Sequence, residues 1–179
     1  IYALTAAVAG YLNPDSRFYG NPQLCEAMDL ALDFVGRTQR EDGSFDYPSC
    51  NFKSAPDTAF CFKRLYTAWR LIKKRGRAED TDLAVIEKKY LAIMHRALEA
   101  ICTGGFHTPN HRWGIAAALL QGADLFAGEP EFAARLKARA GQYLAEGIDG
   151  DEDGAYAEGC PGNYNASVNK SMLTIYQVR

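Results

Sequence analysis

Apolar residues in this chain recur every three to four positions and rarely alternate, in segments that are repeatedly opened by a capping residue followed by proline. That rhythm is the period of a helix with one face against a core, whereas a half-buried strand would alternate. Residue choice agrees, since 27 alanines stand against 13 valines plus isoleucines, the reverse of sheet usage. The expected fold is all-α.

Residues 2 to 12 read as the tail of an earlier helix, ahead of six more. Asn21-Pro22 pairs a cap with proline at the first helical position, and Leu24, Met28, Ala31, Leu32 and Val35 then share a stripe. A further helix opens at Asp57 after Pro56 and carries Phe60, Leu65, Tyr66, Trp69 and Ile72 as far as Gly76. The next runs from Thr81 to Cys102 and is stopped by Gly104-Gly105. Thr108-Pro109 starts one that lasts to Gly128, Glu129-Pro130 one that ends near Gly147, and the last begins around Asn165. Long loops rich in Gly, Asp, Tyr, Asn and Pro (residues 39 to 56 and 147 to 164), together with the 103 to 109 turn, precede every second helix. Stacked antiparallel α-hairpins would gather these loops at one end, which is then the candidate functional end. Six such helices make about half of an (α/α) toroid.

At 179 residues the chain fits one domain, which would bury roughly 70% of its unfolded surface. The opening Ile1-Tyr2-Ala3-Leu4 and closing Met172-Leu173-Thr174-Ile175-Tyr176 read as helices cut from a longer chain. Twenty basic against 22 acidic residues give a net charge of −2, which offers no global field for nucleic acid. The basic run Lys73, Lys74, Arg75 and Arg77 falls where a helix ends and complements its dipole. No apolar run approaches the roughly 20 residues of a membrane span. The five cysteines (Cys25, Cys50, Cys61, Cys102, Cys160) have neither CxxC nor metal-ligand spacing, so they read as buried free thiols with no metal and no cofactor.

The densest chemistry lies in Gly104-Gly105-Phe106-His107-Thr108-Pro109-Asn110-His111-Arg112-Trp113. With Thr108 as cap, Asn110 and His111 fall in a first helical turn, where free N–H groups favour an anion and disfavour imidazolium. His111 is thus expected to be neutral near pH 7 and usable as a base. A second group, Gly159-Cys160-Pro161-Gly162-Asn163-Tyr164-Asn165, presents a tyrosine and two amides before a helix. Asp149 to Gly154 resembles the start of a calcium loop but has Cys160 where the bidentate Glu belongs, so its acids are read as shaping the turn that positions Glu158 and Tyr164. Tyr47, Asn51 and Phe52 follow the sharp turn Gln39 to Phe45, a loop of the type that stacks on sugar rings. Asp42, Asp57 and Glu158 are the carboxylates a hydrolase could use, at spacings that fix no pair.

Asn110-His111 followed by Tyr164, within alternately long-looped α-hairpins, resembles the toroid of the heparinase II/III-like polysaccharide lyases and related alginate and oligoalginate lyases. The similar stretch runs from about Thr103 to Val168. The resemblance implies β-elimination at a uronic acid of an acidic polysaccharide or oligosaccharide, without a metal, in a periplasmic or secreted bacterial setting. It assigns catalysis to Asn110, His111 and Tyr164, and substrate binding to Arg112, Trp113, His107, Asn163 and Asn165. It also implies a β-sandwich domain elsewhere in the same protein. Two other readings stay open at this point: a toroid glycosidase using Asp57 or Glu158, and a non-catalytic glycan-binding or scaffold module.

Overall fold

The computed structural model describes residues 1–76 and 79–178. In chain order the elements are α1 (Tyr2–Leu12), α2 (Pro22–Thr38), β1 (Phe45–Tyr47), β2 (Asn51–Ser54), α3 (Ala55–Arg75), α4 (Thr81–Thr103), α5 (Pro109–Leu125), α6 (Pro130–Ala145) and α7 (Asn163–Gln177). The protein is mostly helical, as its periodicity and alanine content require, with one short hairpin added. Lys73, Lys74 and Arg75 occupy the last turn of α3, while Arg77 lies outside the described residues.

Helix starts follow their side-chain chemistry. Asn21 accepts the Leu24 N–H at 3.0 Å and Asp80 that of Leu83 at 2.9 Å. At α3 the chain turns helical at Ala55, two residues before the expected Asp57, because Ser54 is the cap. Its hydroxyl accepts the Asp57 N–H at 3.2 Å and donates to the Asp57 carboxylate, a reciprocal box that satisfies the first turn. The segment read as a loop, 39 to 56, forms the β1–β2 hairpin, with Phe45 opposite Ser54 and Tyr47 opposite Asn51. Alternation over three or four residues is too short a signal to reveal it. The hairpin is fastened at its base: the Phe45 N–H donates to Thr58 Oγ1, Gln39 Nε2 to the carbonyls of Gly43 and Ile93, and Arg96 to the Arg40 carbonyl. Gly43 makes that approach possible, since its φ is +87° and a Cβ there would lie 2.0 Å from the Arg96 carbonyl oxygen.

Side-chain pairs set the helix directions. Tyr2 and Thr5 of α1 meet Arg64 while Tyr11 bonds Asp80 just past α3, so α1 and α3 run the same way. Phe60 lies beside His111 and Gly114 of α5, and Lys63 bonds Ser171 of α7. Helices α1, α3, α5 and α7 thus form one row. In the other row, Lys89 of α4 pairs with Asp29 and Asp33 of α2, and Glu99 with Arg135 of α6. The rows are antiparallel: Ala55 at the start of α3 touches Gly104 at the end of α4, and Trp69 bonds Glu87 further along. Between them lie the fully buried Val8, Leu32, Phe62, Leu65, Tyr90, Met94, Leu98, Ile101, Ile115 and Leu119.

Two layers joined by antiparallel hairpins place the N-termini of α3, α5 and α7 at one end, and with them the hairpin, residues 104–108 and residues 146–162. The expected gathering of elaborate loops is what the structure shows. No helix among the described residues is long and apolar enough to cross a membrane. All five cysteines are free, but only Cys25 is buried. Cys50 is exposed beside the hairpin turn, which corrects the expectation of uniformly buried thiols.

Candidate functional site at the loop-bearing end

The centre of this end is the first turn of α5. Thr108 is its N-cap by backbone, extended at φ −140° and ψ 154°, yet its hydroxyl makes no capping bond. Instead Thr108 Oγ1 accepts from Asn110 Nδ2 at 3.0 Å. The orphan N–H of Asn110 goes to Glu158 Oε2 at 3.0 Å, and the second Nδ2 hydrogen goes to Glu158 Oε1 at 2.5 Å. A carboxylate therefore sits bidentate on the helix N-terminus, where dipole and free amides favour negative charge. It belongs to the chain itself. Asn110 is only 4% exposed, with both carboxamide hydrogens used.

Beside it, His111 is half-buried, and its Nδ1 is enclosed without a hydrogen-bond partner. Burial lowers its pKa from the ordinary 6.5, and His107 pushes the same way, against the attraction of Asp57 and Glu158. Neutral imidazole is the outcome expected from sequence, although the main cause is desolvation. The Phe60 ring stands edge-on at 6.1 Å, and the exposed His107 ring lies 6.3 Å away.

Loop 146–162 carries Glu158 toward α5 and is built to hold shape. Asp151 accepts from the N–H groups of Asp153 and Ala155, Gly150 bridges Tyr156, and the Tyr156 hydroxyl donates to Asn169 of α7. The acids shape a turn, as expected. Among the described residues no group of three or more His, Cys, Asp and Glu side chains is arranged to hold a metal ion.

Two sequence expectations need correction here. Arg112 is 3% exposed, and its guanidinium bonds Glu146, the Gly147 carbonyl and Asp149, so it clamps the end of α6 to the loop. Trp113 is 2% exposed and packs in the core under Arg112. Residues i+1 and i+2 from a first-turn histidine rotate away from its face, so neither side chain is free to grip a sugar.

Tyr164 lies in the first turn of α7 at the same end as Asn110 and His111 and is 48% exposed. Asn163 is exposed at the helix start. Asn165 is half-buried, its backbone N–H donates to the Cys160 carbonyl, and its Oδ1 is enclosed. The Cys160 thiol lies on the N–H groups of Tyr164, Asn163 and Gly162, which lower its pKa. Tyr47, Phe52 and Phe106 are further exposed rings at this end. Asp57 is engaged by Ser54 and Asp42 by Ser44, so both serve turns. Sequence reasoning passed over Lys63, which joins α3 to α7. Its spacing of three from Phe60 and from Tyr66 puts it on an apolar stripe, the one signal that marked it.

Compared with known proteins, the chain matches no family model, no curated protein and no solved structure.

Proposed function

We propose that this end is the site of a polysaccharide lyase acting by β-elimination on a uronic-acid-containing chain, and that the two helix rows are an arc of an (α/α) toroid. The observation that carries the reading is the carboxylate of Glu158 on the α5 N-terminus. Asn110 and its backbone N–H already hold a carboxylate bidentately there, and a uronate carboxylate exchanging with Glu158 would meet the same donors.

The chemistry follows from that position. The C5 proton of a uronate is too weakly acidic to leave while its carboxylate is fully ionised and solvated. Donors fixed on the carboxylate stabilise the enolate-like intermediate, which is the largest barrier term. His111, kept neutral by burial, accepts the C5 proton. The C5 electron pair forms the C4=C5 double bond as the C4–O4 bond breaks, and Tyr164 donates its phenolic proton to the departing O4. Exposure of Tyr164 at the same end, above the packed α5–α7 pair, supports this role. Asp57 and Glu158 are bound to Ser54 and Asn110, which disfavours the hydrolytic alternative.

The test is incubation of the full-length protein with alginate, heparan and chondroitin. Ultraviolet-absorbing unsaturated ends are expected from one of them, and Tyr164→Phe abolishes them. Absence of unsaturation with all three refutes the reading, and new reducing ends without unsaturation identify a hydrolase.

A further inference from the structure

Lys63 differs from the two lysines seen in ion pairs among the described residues. Lys89 lies between Asp29 and Asp33 at 2.6 Å from each, and Lys73 pairs with Glu87 at 3.1 Å. Lys63 is half-buried on α3, and its Nζ donates to Ser171 Oγ of α7 at 3.0 Å. Ser171 is itself fully buried, and its own proton goes to the Ser167 carbonyl at 2.9 Å. No carboxylate answers the ammonium among the described residues. Burial, and after it the cations Lys170 of α7 and Arg64 of its own helix, push its pKa down to about 8. Arg64 in turn lies over the Tyr2 ring of α1.

A buried ammonium without a counter-charge is costly, and two like charges beside it raise that cost. A packed interface would ordinarily fill this position with an apolar residue. The place of Lys63 relative to the proposed site gives the charge a use. Its Nζ lies 5.9 Å from the Phe60 ring centroid, and the His111 ring centroid lies 6.1 Å from the same centroid. The two groups therefore neighbour one aromatic ring.

We propose that Lys63, held by Ser171, and the neighbouring Lys170 form an oxyanion subsite for the sugar adjacent to the one bound at His111. The substrate would then be a polyanion with carboxylate or sulfate on successive sugars. This rests on the lyase reading of the neighbouring site and extends it. An arriving oxyanion meets two cations already in place, so the cost of burying Lys63 is borne by the free protein and released on binding.

The experiment measures binding without cleavage. Trisaccharides with a carboxylate on every sugar, with sulfate on the flanking sugars, or with neutral flanking sugars are titrated into wild type, Lys63→Met and Lys63→Arg. The Lys63 Nζ resonance is followed in wild type, with inorganic sulfate as a separate probe. Wild type is expected to favour flanking-charged over neutral-flanked ligands by at least about tenfold, with the Nζ resonance moving on binding. Lys63→Met erases that preference, and Lys63→Arg restores most of it. Whichever of the carboxylate and sulfate series binds more tightly identifies the oxyanion. If Lys63→Met keeps the preference, or the Nζ resonance stays still, the subsite is refuted even where cleavage is observed. If sulfate moves the Nζ resonance while no uronate oligosaccharide binds, the anion site stands and the lyase reading falls.

Discussion

Replacing Lys63 by methionine should stabilise the free protein at neutral pH, an unusual direction for a core-facing substitution. The magnitude follows from the geometry. Burial between α3 and α7, with Arg64 and Lys170 beside it, lowers the ammonium from its ordinary 10.5 to about 8. At about 1.4 kcal/mol per pH unit, that is roughly 3 kcal/mol of strain from the charged form. Methionine keeps the apolar stem and removes the charge. Ser171 loses one donor but still donates to Ser167, a loss of about 1 kcal/mol. The net gain is thus about 2 kcal/mol at pH 7. The sign in pH is fixed by linkage: between about 8 and 10.5 the unfolded chain holds the Lys63 proton more tightly than the folded one, so wild-type stability rises with pH across that window. The advantage of the variant is therefore full below pH 8 and gone by about 10.5. Chemical denaturation of both proteins at pH 7, 8.5 and 10 reads the difference curve directly. A variant less stable than wild type at pH 7, or a difference that is flat with pH, refutes the argument that Lys63 is a desolvated and uncompensated ammonium.

Three further outcomes are expected. Arg112→Met should cost about 2–4 kcal/mol and open residues 146–162 to limited proteolysis, because it releases Glu146, the Gly147 carbonyl and Asp149 together from a guanidinium that is almost wholly buried. His111 should contribute a pH dependence of stability of the opposite origin to acid-paired groups. Its folded pKa is lowered, so its contribution is complete above about pH 6.5 and is lost as pH falls from there through the folded value; the difference between wild type and His111→Gln, followed by thermal melting from pH 7.5 to 4.5, should be level in the upper part and change below it. Gly43→Ala should destabilise by at least about 2 kcal/mol, since its Cβ meets the Arg96 carbonyl oxygen in a left-handed conformation, and a melting temperature within a degree of wild type would contradict the close approach.

The helices were legible because their signals are local. Asn21-Pro22, Asp80, Pro109 and Pro130 each set a start with chemistry contained within a few residues, and the stripes through Met28, Leu32 and Val35 or through Ile86, Tyr90 and Ile101 are the buried faces. The hairpin was not legible, because its strands of three and four residues are held by partners far along the chain, Thr58, Ile93 and Arg96. The start of α3 falls two residues before Asp57 for a related reason: Ser54 and Asp57 act as a reciprocal pair, and the expected start rests on Asp57 after Pro56 alone.

At the site the same distinction decides what sequence could say. Placing Asn110 and His111 in a first turn required only the Thr108-Pro109 signal, and the preference of that turn for an anion followed from the backbone. That the anion would be Glu158, 48 residues on, required the loop path, and the loop path depends on Arg112 being turned inward to Glu146 and Asp149. An arginine beside a candidate site reads as a substrate clamp until its rotation about the helix is known. Lys63 presents the converse case, a lysine on an apolar stripe whose partner is unknown until α7 is laid over it. In both, charge was visible in the sequence and its partner was not. The two long-range facts have opposite meanings: Arg112 carries an excess of carboxylates and holds the structure, whereas Lys63 has none among the described residues and is left for a ligand to answer.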